Sequence, residues 1–215
     1  MATRHRDGGR AATTGRTDHW QGVYTTKADS EASWFQECPL ASLRMINAAG
    51  LAPGQAVIDV GGGTSRLVDS LLDLGYRVTV LDLAEAALTK AKVRLDGRAA
   101  AVDWIVADIT RWTPLGQFDL WHDRAVFHFL VDDDDRRAYA VAMAAAVRPG
   151  GQAVVATFGP DGPERCSGLP VRRYTAAAMA AEFAPAFRLA ESRSDRHLTP
   201  AGKPQSFQFC RFLRV

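Results

Sequence analysis

The sequence predicts an α/β fold in which a doubly wound, mostly parallel sheet carries helices on both faces. Three observations predict it. Apolar runs of strand length alternate with helix-length segments between Ala56 and Phe158. The first run stops on three consecutive glycines, Gly61, Gly62 and Gly63, directly ahead of a helical segment. Acidic residues then close two further runs, Asp82 and Asp108, at the strand ends where open α/β sheets bind their ligands.

Residues 1–17 are rich in Gly, Thr and Arg and poor in apolar groups, which predicts a disordered tail. Residues 18–37 form an aromatic segment, with Trp20, Tyr24, Trp34 and Phe35 placed ahead of any core element. The main domain is expected over 38–215. It opens with a helix: Pro39 suits the first turn, Leu40, Leu43 and Ile46 share a face, and Gly50 ends it. AVIDV (56–60) reads as a buried strand. Residues 65–74 read as a helix stopped by Gly75, 76–81 as the second strand, 84–95 as a helix, 102–107 as the third strand and 118–122 as the fourth. Four aspartates at 132–135 stand where a helix dipole favours negative charge, so the alanine-rich stretch to Val147 is a helix and the acidic run is its cap rather than a metal site. The turn RPGG (148–151) leads into a strand at 152–158, and a Gly/Pro-rich loop covers 159–173. A short helix starts near Thr175, and strands around 187–194 and 206–213 bring the count to seven.

The 215 residues, 47% apolar and 23% charged, fit one domain with a core of its own. A net charge of +2 without a long basic face gives no sign of a nucleic-acid partner. No apolar run reaches signal-peptide or bilayer-spanning length, so a cytoplasmic location away from membranes is expected. Cys38, Cys166 and Cys210 form no CxxC pair, which predicts reduced thiols and no zinc site. Cys166 is read as a bystander in its loop rather than a reactive thiol.

The cofactor signal is cumulative. Asp59 sits near the end of the first strand, and the glycines after it let the backbone bend and let a ligand approach closely. Ser65 replaces the third glycine of the dinucleotide fingerprint, which favours a ligand without a pyrophosphate. Asp82, 23 positions after Asp59, is placed to accept both hydroxyls of a ribose, and Asp108 to accept from an exocyclic amine such as adenine N6. A lone surface acid and a helix cap are the competing readings of those two.

Together DVGGGTS (59–65), VLDL (80–83), ADIT (107–110), FDLWHDR (118–124) and RPGG (148–151) resemble the class I S-adenosylmethionine-dependent methyltransferases, over roughly residues 20–215. The resemblance implies a Rossmann-like sheet with one antiparallel strand near the C-terminus. It implies S-adenosylmethionine as cofactor and S-adenosylhomocysteine as product. Carried over, Asp59 contacts the methionine amino group, Gly61, Gly63 and Ser65 pass beside the cofactor, Asp82 and Leu83 hold the ribose, and Asp108 and Ile109 the adenine.

The stretch FDLWHDRAVFHFL (118–130) is similar to thiopurine and thiol methyltransferases and, more loosely, to protein lysine methyltransferases of the citrate synthase type. Those families fold an N-terminal aromatic segment over the cofactor, a role that falls to Trp20 and Trp34 with Tyr24 and Phe35. His122, Asp123, Arg124 and His128 follow the fourth strand and become the candidate catalytic residues, because ligands bind beyond the carboxyl ends of parallel strands. Two simpler readings stand beside this: Asp123 pairs with Arg124, and His128 packs between Phe127 and Phe129. The amide-methylating signature Asn-Pro-Pro-Tyr is absent. The expected acceptor is a thiol or other heteroatom of a small molecule, with a protein lysine as the alternative and a monomer or homodimer as the assembly. A nucleotide-binding oxidoreductase and a non-catalytic cofactor-binding module are the readings from other classes. Ser65 and Asp108 argue against the oxidoreductase.

Overall fold

The computed structural model describes residues 8–215. The chain begins with α1 (Gly8–Thr26), makes a 3-10 turn at Asp29–Glu31, and enters α2 (Leu40–Ala48). Alternation then sets in: β1 (Ala56–Val60), α3 (Leu67–Asp73), β2 (Arg77–Asp82), α4 (Glu85–Leu95), β3 (Val102–Val106), β4 (Phe118–Arg124), α5 (Asp133–Ala146) and β5 (Val147–Phe158). A two-residue hairpin follows, β6 (Arg165–Cys166) with β7 (Leu169–Pro170). The chain closes with α6 (Ala176–Phe183), β8 (Phe187–Leu198) and β9 (Pro204–Arg214).

Seven strands form one sheet in the order β3-β2-β1-β4-β5-β9-β8, with every pair up to β5 parallel and β9 antiparallel to both neighbours. The order reverses direction at β1, so the crevice between the ends of β1 and β4 is the switch point at which such sheets take ligands. Both faces are covered, which is why AVIDV is buried throughout and apolar at every position but Asp59. Val57, Val78 and Leu120 pack under Met45, Ile46, Leu67, Leu71 and Leu88 on one face. Ile58, Leu81 and Trp121 pack under Tyr139, Met143, Met179 and Phe183 on the other.

Four local expectations change. The tail expected to be disordered through residue 17 is helical from Gly8, and residues 1–7 lie outside the described residues. The buried face of α2 is Ala41, Ser42, Met45 and Ile46, one step from the expected stripe, and Leu40 is exposed. β4 runs two residues further, so Asp123 and Arg124 belong to the strand itself. β5 begins at Val147 and carries RPGG within it, with an irregular register between Phe118 and Leu120. Gly151 fits there because a side chain would meet the Arg148 carbonyl at 2.9 Å.

Candidate functional site

Register brings the acidic strand ends together. In the β1–β4 ladder Asp59 lies opposite His122, so the two side chains stand next to each other on one face. Asp59 Oδ1 meets His122 Nδ1 at 2.7 Å, and His122 Nε2 meets Ser42 Oγ at 2.9 Å. All three groups are buried. With Nδ1 bonded to the carboxylate, the imidazole fixes which way Asp59 faces, and helix α2 supplies the serine that fixes the imidazole.

β1 then breaks into the glycine turn. Gly61 N donates to Leu81 O at 2.6 Å, and Gly61 and Gly63 take φ of 66° and 49°. A Cβ on Gly63 would stand 2.6 Å from the Tyr24 hydroxyl and 3.3 Å from Asp82 Oδ2, so this turn is a cradle that only glycine leaves open. Asp82 Oδ1 accepts from Ala84 N at 2.8 Å, and burial pushes its carboxyl up to about 6. Asp108 Oδ1 accepts from Thr110 N at 2.9 Å and from Thr110 Oγ1 at 2.8 Å. Its Oδ2 faces Arg16 Nη2 at 3.3 Å, and Arg16 Nη1 pairs with Asp135 at 2.8 Å.

Two clefts open on these strand ends. The larger, about 900 Å³ of open space, is lined by Asp82, Leu83, Asp108 and Ile109 at one end and by Phe158, Cys166, Gln205 and Phe207 at the other. The second, about 570 Å³, is lined by Asp59, Gly62, Thr64, Ser65, Arg66 and His122. Tyr24, Trp34, Gly61 and Arg124 line both. The N-terminal segment roofs them. Trp20 packs edge-on against Phe129 with centroids 5.0 Å apart and against Trp34 at 5.8 Å. Gln21 Oε1 accepts from Ala86 N at 2.9 Å, so α1 also caps the first turn of α4.

The four residues expected after the fourth strand separate. His122 and Arg124 reach the clefts. Asp123 is fully buried beneath them and accepts from Val126 N at 2.8 Å, Phe127 N at 3.0 Å and Tyr139 Oη at 2.6 Å, so it shapes the loop after β4 instead of pairing with Arg124. Burial pushes its carboxyl up to about 6. His128 packs between Phe129 and Phe158, takes Phe158 N onto Nδ1 at 3.4 Å, and is drawn down to about 3 by burial and then by Arg124. It is a neutral core histidine. Trp20, Trp34, Asp59, Gly61, Ser65, Asp82, Leu83, Asp108 and Ile109 all line a cleft, and Gly63 shapes the turn between them. Ser65 Oγ also accepts from Leu67 N, the first N–H of α3, at 3.1 Å.

Sequence reasoning missed Arg16, Ser42, Gln205 and Phe207. Arg16 lay in the segment read as a tail, and the other three reach the site only through packing that no local spacing announces. Burial holds the Cys166 thiol up at about 11, which fits a bystander. Among the described residues, no group of three or more His, Cys, Asp and Glu side chains is placed to hold a metal ion, and no helix is long and apolar enough to cross a membrane.

The three strand-end acids, the cradle that a Cβ would fill and the size of the cleft fit a bound nucleoside with room beside it. Residues 57–151 match the family model described as Methyltransferase domain. The chain is 34% identical over 112 residues to the Ubiquinone biosynthesis O-methyltransferase of Aromatoleum aromaticum, covering 51% of this chain and 46% of the relative. It is 32% identical over 122 residues to the Demethylmenaquinone methyltransferase of Renibacterium salmoninarum, covering 54% and 48%. The alignments thus span about half the length of the curated relatives. Among solved structures, one reported for the conversion of a disulfide bond into a thioacetal group during echinomycin biosynthesis is similar with a TM-score of 0.75 at 25% identity, over 92% of this chain and 91% of the other. The 1,6-didemethyltoxoflavin-N1-methyltransferase of Burkholderia thailandensis, solved with S-adenosylhomocysteine, shares the fold with a TM-score of 0.71 at 21% identity, over 100% and 93%.

Proposed function

We propose that this chain, whose domain match and fold are those of the class I S-adenosylmethionine-dependent methyltransferases, transfers a methyl group to a heteroatom of a small molecule, with a thiol as the favoured nucleophile. When bound, the cofactor supplies a methyl group already activated on a sulfonium. The chain's own residues bind, orient and exclude water. Asp82 and Asp108 grip the nucleoside through its ribose and amine. Asp59, held by His122, faces the methionine end beside the glycine turn. Trp20, Tyr24 and Trp34 roof the cleft and keep water from the line of transfer.

One observation carries the choice of acceptor. The wall away from the strand-end acids is Phe129, Phe158, Cys166, Gln205 and Phe207, roofed by aromatic rings and without a carboxylate or an imidazole. Such a wall fits a compact ligand and carries no general base of its own. A thiol of pKa about 8.5 ionises near neutral pH without one, which an aliphatic alcohol does not. The sulfur chemistry reported for the neighbour at 25% identity supports the same reading. The test is a cell extract split into metabolite and protein fractions and incubated with the enzyme and methyl-labelled cofactor. Label should enter the metabolite fraction and be blocked by prior thiol alkylation. Label confined to protein ends the small-molecule reading, and label that ignores alkylation ends the thiol reading.

A further inference from the structure

Arg124 is half-buried at the boundary of the two clefts, and its bonding is incomplete in a directional way. Nη1 donates to Trp34 O at 3.1 Å, and the guanidinium carbon lies 4.6 Å from the centroid of the Phe207 ring. Nε and Nη2 are buried with no hydrogen-bond partner among the described residues. Those two atoms are the side-on edge of the guanidinium, the pair of parallel N–H groups that matches the two oxygens of a carboxylate. Asp195 acts on Arg124 electrostatically without forming an ion pair, and the Cys166 thiol acts likewise. Burial draws the guanidinium down to about 10, and Asp195 offsets that only in part.

Two buried donor atoms without acceptors are costly for a fold to keep, and a purely structural role would have bonded a carboxylate to them. Apolar contact with Phe207 needs no charge, and the bond to Trp34 needs only one donor. What remains unexplained by packing is the open fork. Its neighbours are the Cys166, Gln205 and Phe207 wall, on the side of the larger cleft away from Asp82 and Asp108. The methionine end of the cofactor belongs beside Asp59 and the glycine turn, in the smaller cleft that Arg124 also lines and where Arg66 is ion-paired with Glu37 at 2.9 Å.

We propose that Arg124 is a carboxylate-binding subsite that selects methyl acceptors carrying an anionic group, its Nε and Nη2 holding both oxygens while Phe207 backs the guanidinium. The proposal rests on the methyltransferase reading above and names the acceptor class for that site. A carboxylate reaches this cleft from two sources, the acceptor or the cofactor's own methionine end, and the arms of the test separate them.

The probes are para-fluorobenzoate and para-fluorobenzamide, which differ in charge and hardly in shape, titrated by fluorine NMR into the protein loaded with S-adenosylhomocysteine. The benzoate should bind at least about tenfold tighter than the amide, the scale of a charge-assisted pair. Arg124→Gln should erase that preference and Arg124→Lys restore part of it. Arg124→Met, which removes the unpaired charge, should unfold at a higher temperature than the wild type in the absence of ligand. That is the opposite of what a structural arginine would do. Equal binding of the two probes by the wild type overturns the proposal. So does an Arg124→Gln variant that loses S-adenosylhomocysteine affinity but keeps its affinity for methylthioadenosine, since the fork would then hold the cofactor's carboxylate. Failure of the wild type to bind S-adenosylhomocysteine at all would instead strike the methyltransferase reading, and the two probes titrated into the free protein would still decide the subsite.

Discussion

Acidification should loosen the cofactor through one carboxylate. Asp82 must be ionised to accept two hydroxyl donors, and burial pushes its carboxyl from 3.8 up to about 6. As pH falls through that value the group takes up a proton and loses acceptor capacity, so affinity is full above it and declines below. One unit under the pKa, about ten molecules in eleven carry the proton, and the apparent dissociation constant for S-adenosylhomocysteine rises about tenfold, or about 1.4 kcal/mol. Stability of the ligand-free protein runs the other way for this group. A raised carboxyl pKa means that the fold holds a proton the unfolded chain releases, so the contribution of Asp82 to stability grows as pH falls from about 6 to about 4. The buried charge costs about 3 kcal/mol at neutral pH, from the rise to about 6. Calorimetric titration between about pH 8 and pH 5, with Asp82→Asn as control, reads the affinity. The asparagine variant should bind weakly and without this pH dependence. A wild-type affinity that stays flat over the range, or an asparagine variant with the same slope, refutes the reasoning.

Tyr139→Phe removes a hydroxyl that donates to Asp123 and accepts from Trp121 Nε1, all three fully buried. Unfolding should become easier by about 2–4 kcal/mol, a fall of about 10 °C in Tm by scanning calorimetry. His122→Phe leaves Asp59 unanchored, so KM for the cofactor should rise about tenfold while kcat moves less in steady-state kinetics. Deletion of residues 1–17 takes away Arg16 and its contacts to Asp108 and Asp135, and should weaken S-adenosylhomocysteine by up to about fivefold in calorimetry. Deletion of residues 1–37 removes α1 and the aromatic roof and should leave a domain that still unfolds cooperatively in scanning calorimetry but shows little turnover.

The legible parts of the molecule were those where one stretch of chain decides its own environment. AVIDV is apolar on both faces because helices cover both, and it ends on glycine because the turn demands it. Asp82 and Asp108 broke apolar runs, which marks strand ends directly. The illegible parts depend on partners distant in sequence. α1 contains Gly8, Gly9, Gly15 and Gly22, a composition that disfavours an isolated helix, and it is fastened by Arg16 to Asp108 and by Gln21 to Ala86. RPGG carries turn residues, yet β5 extends through it because Val147 still pairs with Phe118. His128 was ambiguous by sequence because a histidine between two phenylalanines suits a pocket or a core equally, and only its burial decides.

The cleft divides along the chain as well as in space. The strand-end acids that line the clefts, Asp59, Asp82 and Asp108, lie before residue 109, whereas all of the facing wall but Phe129 lies beyond residue 151, where the family match stops. Phe158, Cys166, Gln205 and Phe207 are carried by the end of β5, the small hairpin and the returning strand β9. A recombinant that joins the first 151 residues of this chain to the remainder of a relative would therefore inherit one nucleoside grip and a foreign wall. On the proposed reading, most of the acceptor wall can change in the last third of the chain while the strand-end acids stay as they are, and the joint between the two falls inside a single strand.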